Sequence, residues 1–250
     1  MSSTEQPVTC LILVGGLGTR LRPLISELPK PMAPIRGKPF LEYLIRWVGS
    51  SGFGQVVLCV GYRAAQIEDY FGQGERFGIK IAYSVESEPL GTWGAVRQAM
   101  EQFPGQHFLV ANGDSFLQIE LRALLDFHLK KKALASLAVL AVHDSSRFGS
   151  IRLAGDGRIV EFSEKSGEGP ALINGGVYCL SREMLRLAPK SAASLEKEVF
   201  PAFAGCGLYG MAVHGYFVDI GVPQEYQRLA GNAENWIKSL NLPVGVEEKC

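Results

Sequence analysis

An apolar run from Cys10 to Val14 breaks into three glycines, Gly15, Gly16 and Gly18, and two cations, Arg20 and Lys30, follow. Glycine tolerates φ > 0 and has no Cβ, so such a loop lets backbone N–H groups approach phosphate oxygens closely. Cations just behind it would neutralise a polyphosphate, so the pattern points to chemistry at phosphorus. It is not a dinucleotide fingerprint, because Gly-x-Gly-x-x-Gly counted from Gly16 needs a glycine where Leu21 stands. It is not a Walker loop either, since Gly37-Lys38 is followed by Pro39. Taken alone, the loop also reads as an ordinary strand-to-helix turn with surface arginines. Lys30 alone reads as a solvated loop lysine, although Pro29 and Pro31 stiffen the backbone that presents it.

A carboxylate stands at a second informative place. Asn112-Gly113-Asp114 closes the apolar run His107–Ala111. Ligands of open α/β sheets gather at the carboxyl ends of strands. An acid there can hold Mg²⁺, which takes one or two carboxylates plus phosphate oxygens. By itself, Asn-Gly-Asp is more often only a turn.

The elements that must position these residues alternate in type. Strand signals cover Thr9–Val14, Gln55–Val60, Ile79–Tyr83, His107–Ala111 and Ala135–Ala141. Between them, Pro39–Ser51, Arg63–Phe71, Thr92–Glu101 and Glu120–Lys132 show helical spacing, the first with Phe40, Leu41, Leu44, Ile45 and Val48 on one stripe. This alternation predicts βαβ units and a mostly parallel sheet. The second half changes character. Gly149–Leu153 and Arg158–Ser163 flank Asp156-Gly157 as a hairpin. Ile173–Leu180, Leu208–Val213 and Tyr216–Ile220 read as strands, Ser194–Phe203 as a helix, and Gln224–Leu240 as one terminal helix. The expectation is one α/β domain over residues 1–250, with a mixed, mostly parallel sheet and antiparallel additions late in the chain.

Composition narrows the classes. The 250 residues carry 25 Lys+Arg and 25 Asp+Glu, so no basic excess favours nucleic acid or a membrane surface. The first residues, Met1 to Pro7, are polar and do not read as a secretory signal. No apolar run approaches the ~20 residues of a membrane span. The five cysteines, Cys10, Cys59, Cys179, Cys206 and Cys250, form no Cys-x-x-Cys pair, and the first three sit in apolar runs as core residues. A cytoplasmic protein is expected. His107, His128, His143 and His214 have no metal-ligand spacing. Lys130-Lys131-Lys132 complements a helix C-terminus, and Trp47 and Trp236 read as packing residues.

Taken together, the motifs resemble a known family. Gly15-Gly16-Leu17-Gly18-Thr19-Arg20-Leu21-Arg22-Pro23-Leu24 with Pro29-Lys30-Pro31-Met32-Ala33-Pro34-Ile35 is similar to the signature of the sugar-1-phosphate nucleotidyltransferases. Glu88-Pro89-Leu90-Gly91-Thr92-Trp93-Gly94-Ala95 resembles that family's second base-binding loop, and Asn112-Gly113-Asp114 its metal segment. Phe162-Ser163-Glu164-Lys165, Ile173-Asn174-Gly175-Gly176-Val177-Tyr178, Ser194-Leu195-Glu196-Lys197-Glu198 and Phe217-Val218-Asp219-Ile220-Gly221 continue the likeness along nearly the whole chain.

The resemblance implies a Rossmann-like three-layer sandwich and a reaction of a nucleoside triphosphate with a sugar 1-phosphate that releases pyrophosphate. It also implies roles. Leu13, Gly15, Gly16, Gly18, Thr19, Arg20, Glu88, Gly91, Thr92, Asn112 and Gly113 would bind the nucleotide, with Arg20 clamping the departing β- and γ-phosphates and Lys30 over the α-phosphate. Asp219 resembles a second metal carboxylate, which with the phosphate loop turns Asp114 from a turn residue into a Mg²⁺ ligand. Lys165 would take the sugar phosphate, oriented by Glu161 or Glu164, and Asn174, Gly175 and Glu198 the sugar hydroxyls; Glu198 also reads as a helix-surface acid. Three positions depart from the usual pattern: Ile25 replaces a threonine, Trp93 a small residue and Ser166 a proline. Trp93 either caps the base or covers the helix start.

Within the family, Leu13-Val14-Gly15-Gly16, the Glu88–Thr92 segment and Phe217–Pro223 most resemble heptose 1-phosphate guanylyltransferases, which make GDP-heptose for surface polysaccharides. That implies GTP and D-glycero-D-manno-heptose 1-phosphate as partners. Mannose 1-phosphate guanylyl, glucose 1-phosphate thymidylyl and N-acetylmuramate 1-phosphate uridylyl transfer are the alternatives, because a methyl or hydroxyl in a pocket shifts preference by only a few kcal/mol. An inactive nucleotide-binding subunit is opposed by the presence of Arg20, Lys30, Asp114 and Asp219 together. A nucleotide-sugar-consuming glycosyltransferase would need a second acid beside the first, which Asp114-Ser115-Phe116 lacks. Homo-oligomerisation stays open.

Overall fold

A computed structural model describes residues 8–16, 21, 25, 28–163 and 169–240. Gly18, Thr19, Arg20, Glu164, Lys165 and Ser166, to which the motifs assigned or compared roles, and Cys250 lie outside the described residues.

In chain order the strands are β1 (Thr9–Leu13), β2 (Pro34–Ile35), β3 (Lys38–Pro39), β4 (Gln55–Val60), β5 (Lys80–Val85), β6 (His107–Asn112), β7 (Ser115–Leu117), β8 (Ala135–Val142), β9 (Ser150–Leu153), β10 (Ile159–Ser163), β11 (Ala171–Ser181), β12 (Leu208–Val213) and β13 (Phe217–Asp219). The helices are α1 (Phe40–Ser50), α2 (Ala64–Phe71), α3 (Gly91–Gln102), α4 (Leu121–Lys131), α5 (Met184–Leu187), α6 (Phe200–Ala202), α7 (Pro223–Gly231) and α8 (Ala233–Ser239).

One sheet organises the chain. Its strand order is β10-β9-β11-β6-β1-β4-β5, with β8 on β11 and β12 on β8. β1 is parallel to both β4 and β6, and β4 to β5. β11 runs antiparallel to β6, β8 and β9. The parallel first half and the antiparallel additions of the second match the sequence expectation, and β12 joins the sheet parallel to β8. The central parallel strands β1, β4 and β6 are largely apolar runs because both faces are covered. Successive residues of β1 point to opposite faces, so Ile12 joins a core with α1 while Leu11 joins another with Trp93, Ala95 and Val96 of α3. The result is the expected three-layer α/β sandwich.

The later elements differ from their simple readings. The terminal helix divides into α7 and α8 at Asn232, whose φ of −122° is not helical. Ser194–Phe203 is a π-helical turn, Leu195–Val199, followed by α6, whose second residue is Pro201. Two small ribbons complete the strands: β2 with β3, which had no sequence signal, and β7 with β13, of which β13 lies within the expected strand Tyr216–Ile220 and β7 had no signal. Trp47 and Trp236 pack as expected, with Phe40, Tyr43 and Phe116 around them. Cys10, Cys59 and Cys179 are buried free thiols, and burial pushes each above the usual thiol range.

Candidate active site

Crossovers from β1 go one way to β4 and β5, and the chain then returns to place β6 on the other flank of β1. Such a reversal opens a crevice at the carboxyl ends of the strands, where α/β ligands bind. Two adjoining cavities occupy it. The first, about 270 Å³, is walled by Leu13, Val14, Gly15 and Gly16 after β1, Glu86, Pro89, Gly91 and Thr92 after β5, and Asn112 and Asp114 after β6, with Lys30 and Pro31. The second, about 310 Å³, shares Asn112 and Asp114 and adds Ser115, Arg147, Phe148, Gly149, Phe162, Asn174, Gly176, Ser194, Glu196, Lys197, Phe217 and Asp219.

Local chain geometry explains these placements. Gly15 and Gly16 do not adopt positive φ, contrary to the loop expectation. Gly15 is needed for close approach, since a Cβ there would lie 2.6 Å from Glu86 Oε1. Gly91 opens α3 with a φ of +73°, and a Cβ would run into the Ala193 carbonyl. A Cβ on Gly113 would strike the Leu13 carbonyl, to which Gly113 already donates its N–H at 2.9 Å. That contact seats the turn carrying Asp114 directly on β1.

The charged groups converge on the shared wall. Lys30 is ion-paired with Asp114, and its side chain is only 11% exposed. Lys30 begins a 3-10 turn, Lys30–Met32, that the flanking prolines hold. Asp219 comes to the same place through the ladder β7–β13, in which it pairs with Ser115, and Ile220 N–H donates to the Asp114 carbonyl at 2.9 Å. A Cβ on Gly221 would lie 2.5 Å from Lys30 Nζ and 2.6 Å from Asp219 Oδ1, so lysine and second carboxylate face one spot. Burial and the neighbouring Asp114 charge raise the Asp219 carboxyl above its usual range, against the pull of the Gly221 N–H, Lys30 and Arg147. Two half-buried carboxylates that repel one another are a donor pair suited to a hard dication. Among the described residues no cluster of three or more His, Cys, Asp or Glu is present, so other oxygens must complete any such shell.

Several motif residues fall elsewhere. Glu88 lies outside both cavity walls, and Glu86, two residues earlier, is the acid in the first cavity. Burial raises the Glu86 carboxyl, while its Oε2 accepts the Leu90 N–H at 3.0 Å. Glu198 is also displaced from the walls. Its carboxylate accepts the Ser194 and Ala193 N–H groups at 2.8 Å, which lower its pKa, so it is the turn-capping acid of its second reading. Glu196 takes the cavity place instead. It accepts from Thr92 Oγ1 at 2.9 Å and from the Tyr178 hydroxyl at 3.1 Å, and Tyr178 in turn accepts from Asn174 Nδ2 at 2.8 Å. Thr92 of the first cavity and Asn174 of the second are thus joined through Glu196 and a fully buried tyrosine. Glu161 points to the surface, paired with Arg152 at 3.0 Å. Gly175 packs its Cα against Leu117 rather than lining a cavity, and its neighbour Gly176 is at the wall. Trp93 is 1% exposed and covers the helix start from inside the core.

Residues 9–235 match the family model described as nucleotidyl transferase. The chain belongs to the nucleotidyl transferase family. It is 39% identical to the D-glycero-alpha-D-manno-heptose 1-phosphate guanylyltransferase of Aneurinibacillus thermoaerophilus, over 91% of this chain and 99% of that one. It is 37% identical to the Campylobacter jejuni enzyme of the same name, over 86% and 96% respectively. The mannose-1-phosphate guanylyltransferase of Mycobacterium tuberculosis is 37% identical, over 88% of this chain but 63% of its own length. Among solved structures, HddC from Yersinia pseudotuberculosis superposes with a TM-score of 0.81 at 30% identity, over 90% of this chain and 99% of that one. HddC has also been solved with GMP-PN. As a member of the nucleotidyl transferase family, the chain is a sugar-1-phosphate nucleotidyltransferase. Among its described residues, no helix is long and apolar enough to cross a membrane.

Proposed function

We propose that this nucleotidyltransferase moves a guanylyl group from GTP to D-glycero-α-D-manno-heptose 1-phosphate, giving the GDP-sugar and pyrophosphate. One observation carries the reading: two cavities meet at a wall formed by Asn112 and Asp114, with Lys30 against that aspartate. A triphosphate in the first and a sugar phosphate in the second would bring the α-phosphorus and its attacking oxygen together at the junction. The sugar phosphate oxygen attacks in line, the bond to the α–β bridging oxygen breaks, and pyrophosphate leaves with the electron pair. No covalent enzyme intermediate is needed, so catalysis rests on alignment and charge stabilisation. Lys30 meets the charge that develops on the α-phosphoryl oxygens. Arg20 would clamp the β- and γ-phosphates, with Lys165 assigned to the sugar phosphate.

Asp114 and Asp219 would hold Mg²⁺, which when bound supplies positive charge to the phosphate oxygens completing its shell. Glu86 supports guanine. A carboxylate can accept both N1–H and the exocyclic amine of that base, whereas uracil and thymine offer one N–H between two carbonyls. The pair of heptose enzymes covered almost end to end supports the heptose. The buried thiols suit a reducing cytoplasm, and the product would feed surface polysaccharide synthesis. The continuous sheet supports one catalytic domain spanning residues 1–250. A pyrophosphate-release matrix of GTP, ATP, UTP, CTP and dTTP against heptose, mannose and glucose 1-phosphates tests the reading. GTP with the heptose should give the highest kcat/KM. A higher value with mannose 1-phosphate would reassign the sugar, and turnover led by dTTP or UTP would reassign the base.

A further inference from the structure

The segment between β8 and β9 carries a cation with no assigned role. Arg147 lines the sugar-side cavity. Its guanidinium lies 3.5 Å from Asp219 Oδ2 and 3.4 Å from Glu225 Oε1, and its side chain is 39% exposed. Charge-assisted pairs close to about 2.7–2.9 Å when fully engaged. Both contacts of Arg147 are longer, so neither carboxylate holds it firmly. Glu225 is shared with Arg228, which takes its other oxygen, Oε2, at 2.7 and 2.9 Å. The Phe148 ring, 5.2 Å from the guanidinium carbon, bounds the side chain without fixing its end.

The arrangement mirrors the nucleotide side. Lys30 lies on Asp114 and Arg147 lies by Asp219, one cation for each carboxylate. A dication taking those carboxylates would leave two surplus positive charges. A phosphate monoester brings about two negative ones. We propose that Arg147 is a transferable cation: it pairs with Asp219 until a dication takes that carboxylate, and it then engages the phosphate of the sugar 1-phosphate. A guanidinium suits this task because its planar fork matches carboxylate and phosphate oxygens alike. The proposal rests on the nucleotidyltransferase reading and names the group that receives the second substrate.

Two binding measurements on Arg147→Met test it, neither of which depends on turnover. The first titrates Mn²⁺ into the protein alone, followed by electron paramagnetic resonance. Removing a competing cation from a partly exposed pair should tighten Mn²⁺ by about two- to fivefold. The second titrates heptose 1-phosphate calorimetrically into protein saturated with Mg²⁺ and a methylene-bridged GTP analogue. Loss of a charge-assisted hydrogen bond to phosphate should weaken binding by about tenfold or more. Arg147→Lys should fall between wild type and Arg147→Met in both. Opposite movements are the signature, since general damage would weaken both ligands together. Unchanged heptose 1-phosphate binding, or parallel losses of both ligands, overturns the assignment. Wild-type protein that binds no sugar 1-phosphate would overturn the functional reading as well.

Discussion

Replacing Glu86 with glutamine changes one heavy atom and should change which base is accepted. Oε2 of Glu86 is committed to the Leu90 N–H at 3.0 Å, and Oε1 faces the cavity beside Gly15. A glutamine must keep an acceptor on Leu90 N–H, because an unpaired backbone donor there would cost about 1–3 kcal/mol. Its amide oxygen therefore takes the Oε2 place, and its NH₂ group takes the place of Oε1. Guanine then meets a donor where it needs an acceptor. The variant loses one hydrogen bond to a charged group, about 1.5–3 kcal/mol, and sets two donors against each other. A net loss of about 3 kcal/mol lowers kcat/KM for GTP by about 100-fold. UTP and dTTP lose far less, since the new NH₂ can donate to a pyrimidine carbonyl. The assay is pyrophosphate release for each triphosphate at fixed heptose 1-phosphate, with melting temperature as a fold control. Equal losses for all triphosphates, or an unaltered GTP preference in a folded variant, would refute Glu86 as the guanine reader.

Other perturbations follow from the same geometry. Lys30→Ala should lower kcat by about 10³ and raise KM for GTP much less, because the lysine acts on charge that appears in the transition state; a loss confined to KM would make it a binding residue. Gly113→Ala drives a Cβ into the Leu13 carbonyl and Val14. It should cost about 3 kcal/mol, or about 6–12 °C in melting temperature, and an unshifted melt would contradict the close seating of the turn on β1. The folded Asp219 carboxyl is raised above its unfolded value, so its contribution to stability is present in acid and lost as pH rises through the folded pKa. Metal-free Asp219→Asn should therefore be more stable than wild type at neutral pH, with the gain shrinking toward about pH 4. A gain equal at both pH values in urea denaturation would count against the raised carboxyl.

Much of this was legible in the residues. The apolar runs around Ile12, Leu58 and Val110 announced buried parallel strands, and the stripe from Phe40 to Val48 announced α1, since each signal is local. What escaped depends on chain brought from far away. β7 is three residues long and is a strand only because Phe217–Asp219 pairs with it. Asp114 and Asp219 were both named, but nothing near either in sequence fixes their distance. The acids were chosen one step off. Glu86 and Glu88 differ by two positions, and only the return of the Leu90 N–H decides which faces the cavity. Glu196 and Glu198 are separated by a π turn whose wider pitch no helical wheel anticipates. Glycine content suggested a twisted phosphate loop. At Gly15 the glycine is needed for space against a glutamate instead. The reading of Gln224–Leu240 as one helix ran through Gly231-Asn232, where the chain breaks.

The ladder between β7 and β13 carries a consequence for how such a protein can diversify. Asp114 and Asp219, the acids proposed to stand at the reacting phosphorus, sit at one end of a short pair of hydrogen-bonded strands, packed through Phe116 on Trp47 and Trp236. Part of the second cavity's wall sits on separate connections, such as Phe148 and Gly149 between β8 and β9 and Ser194 before the π turn. Loops accept insertions and exchanges that strands do not. Lineages can thus rework which sugar is admitted while the spacing of the two acids stays under the control of a backbone those changes never touch.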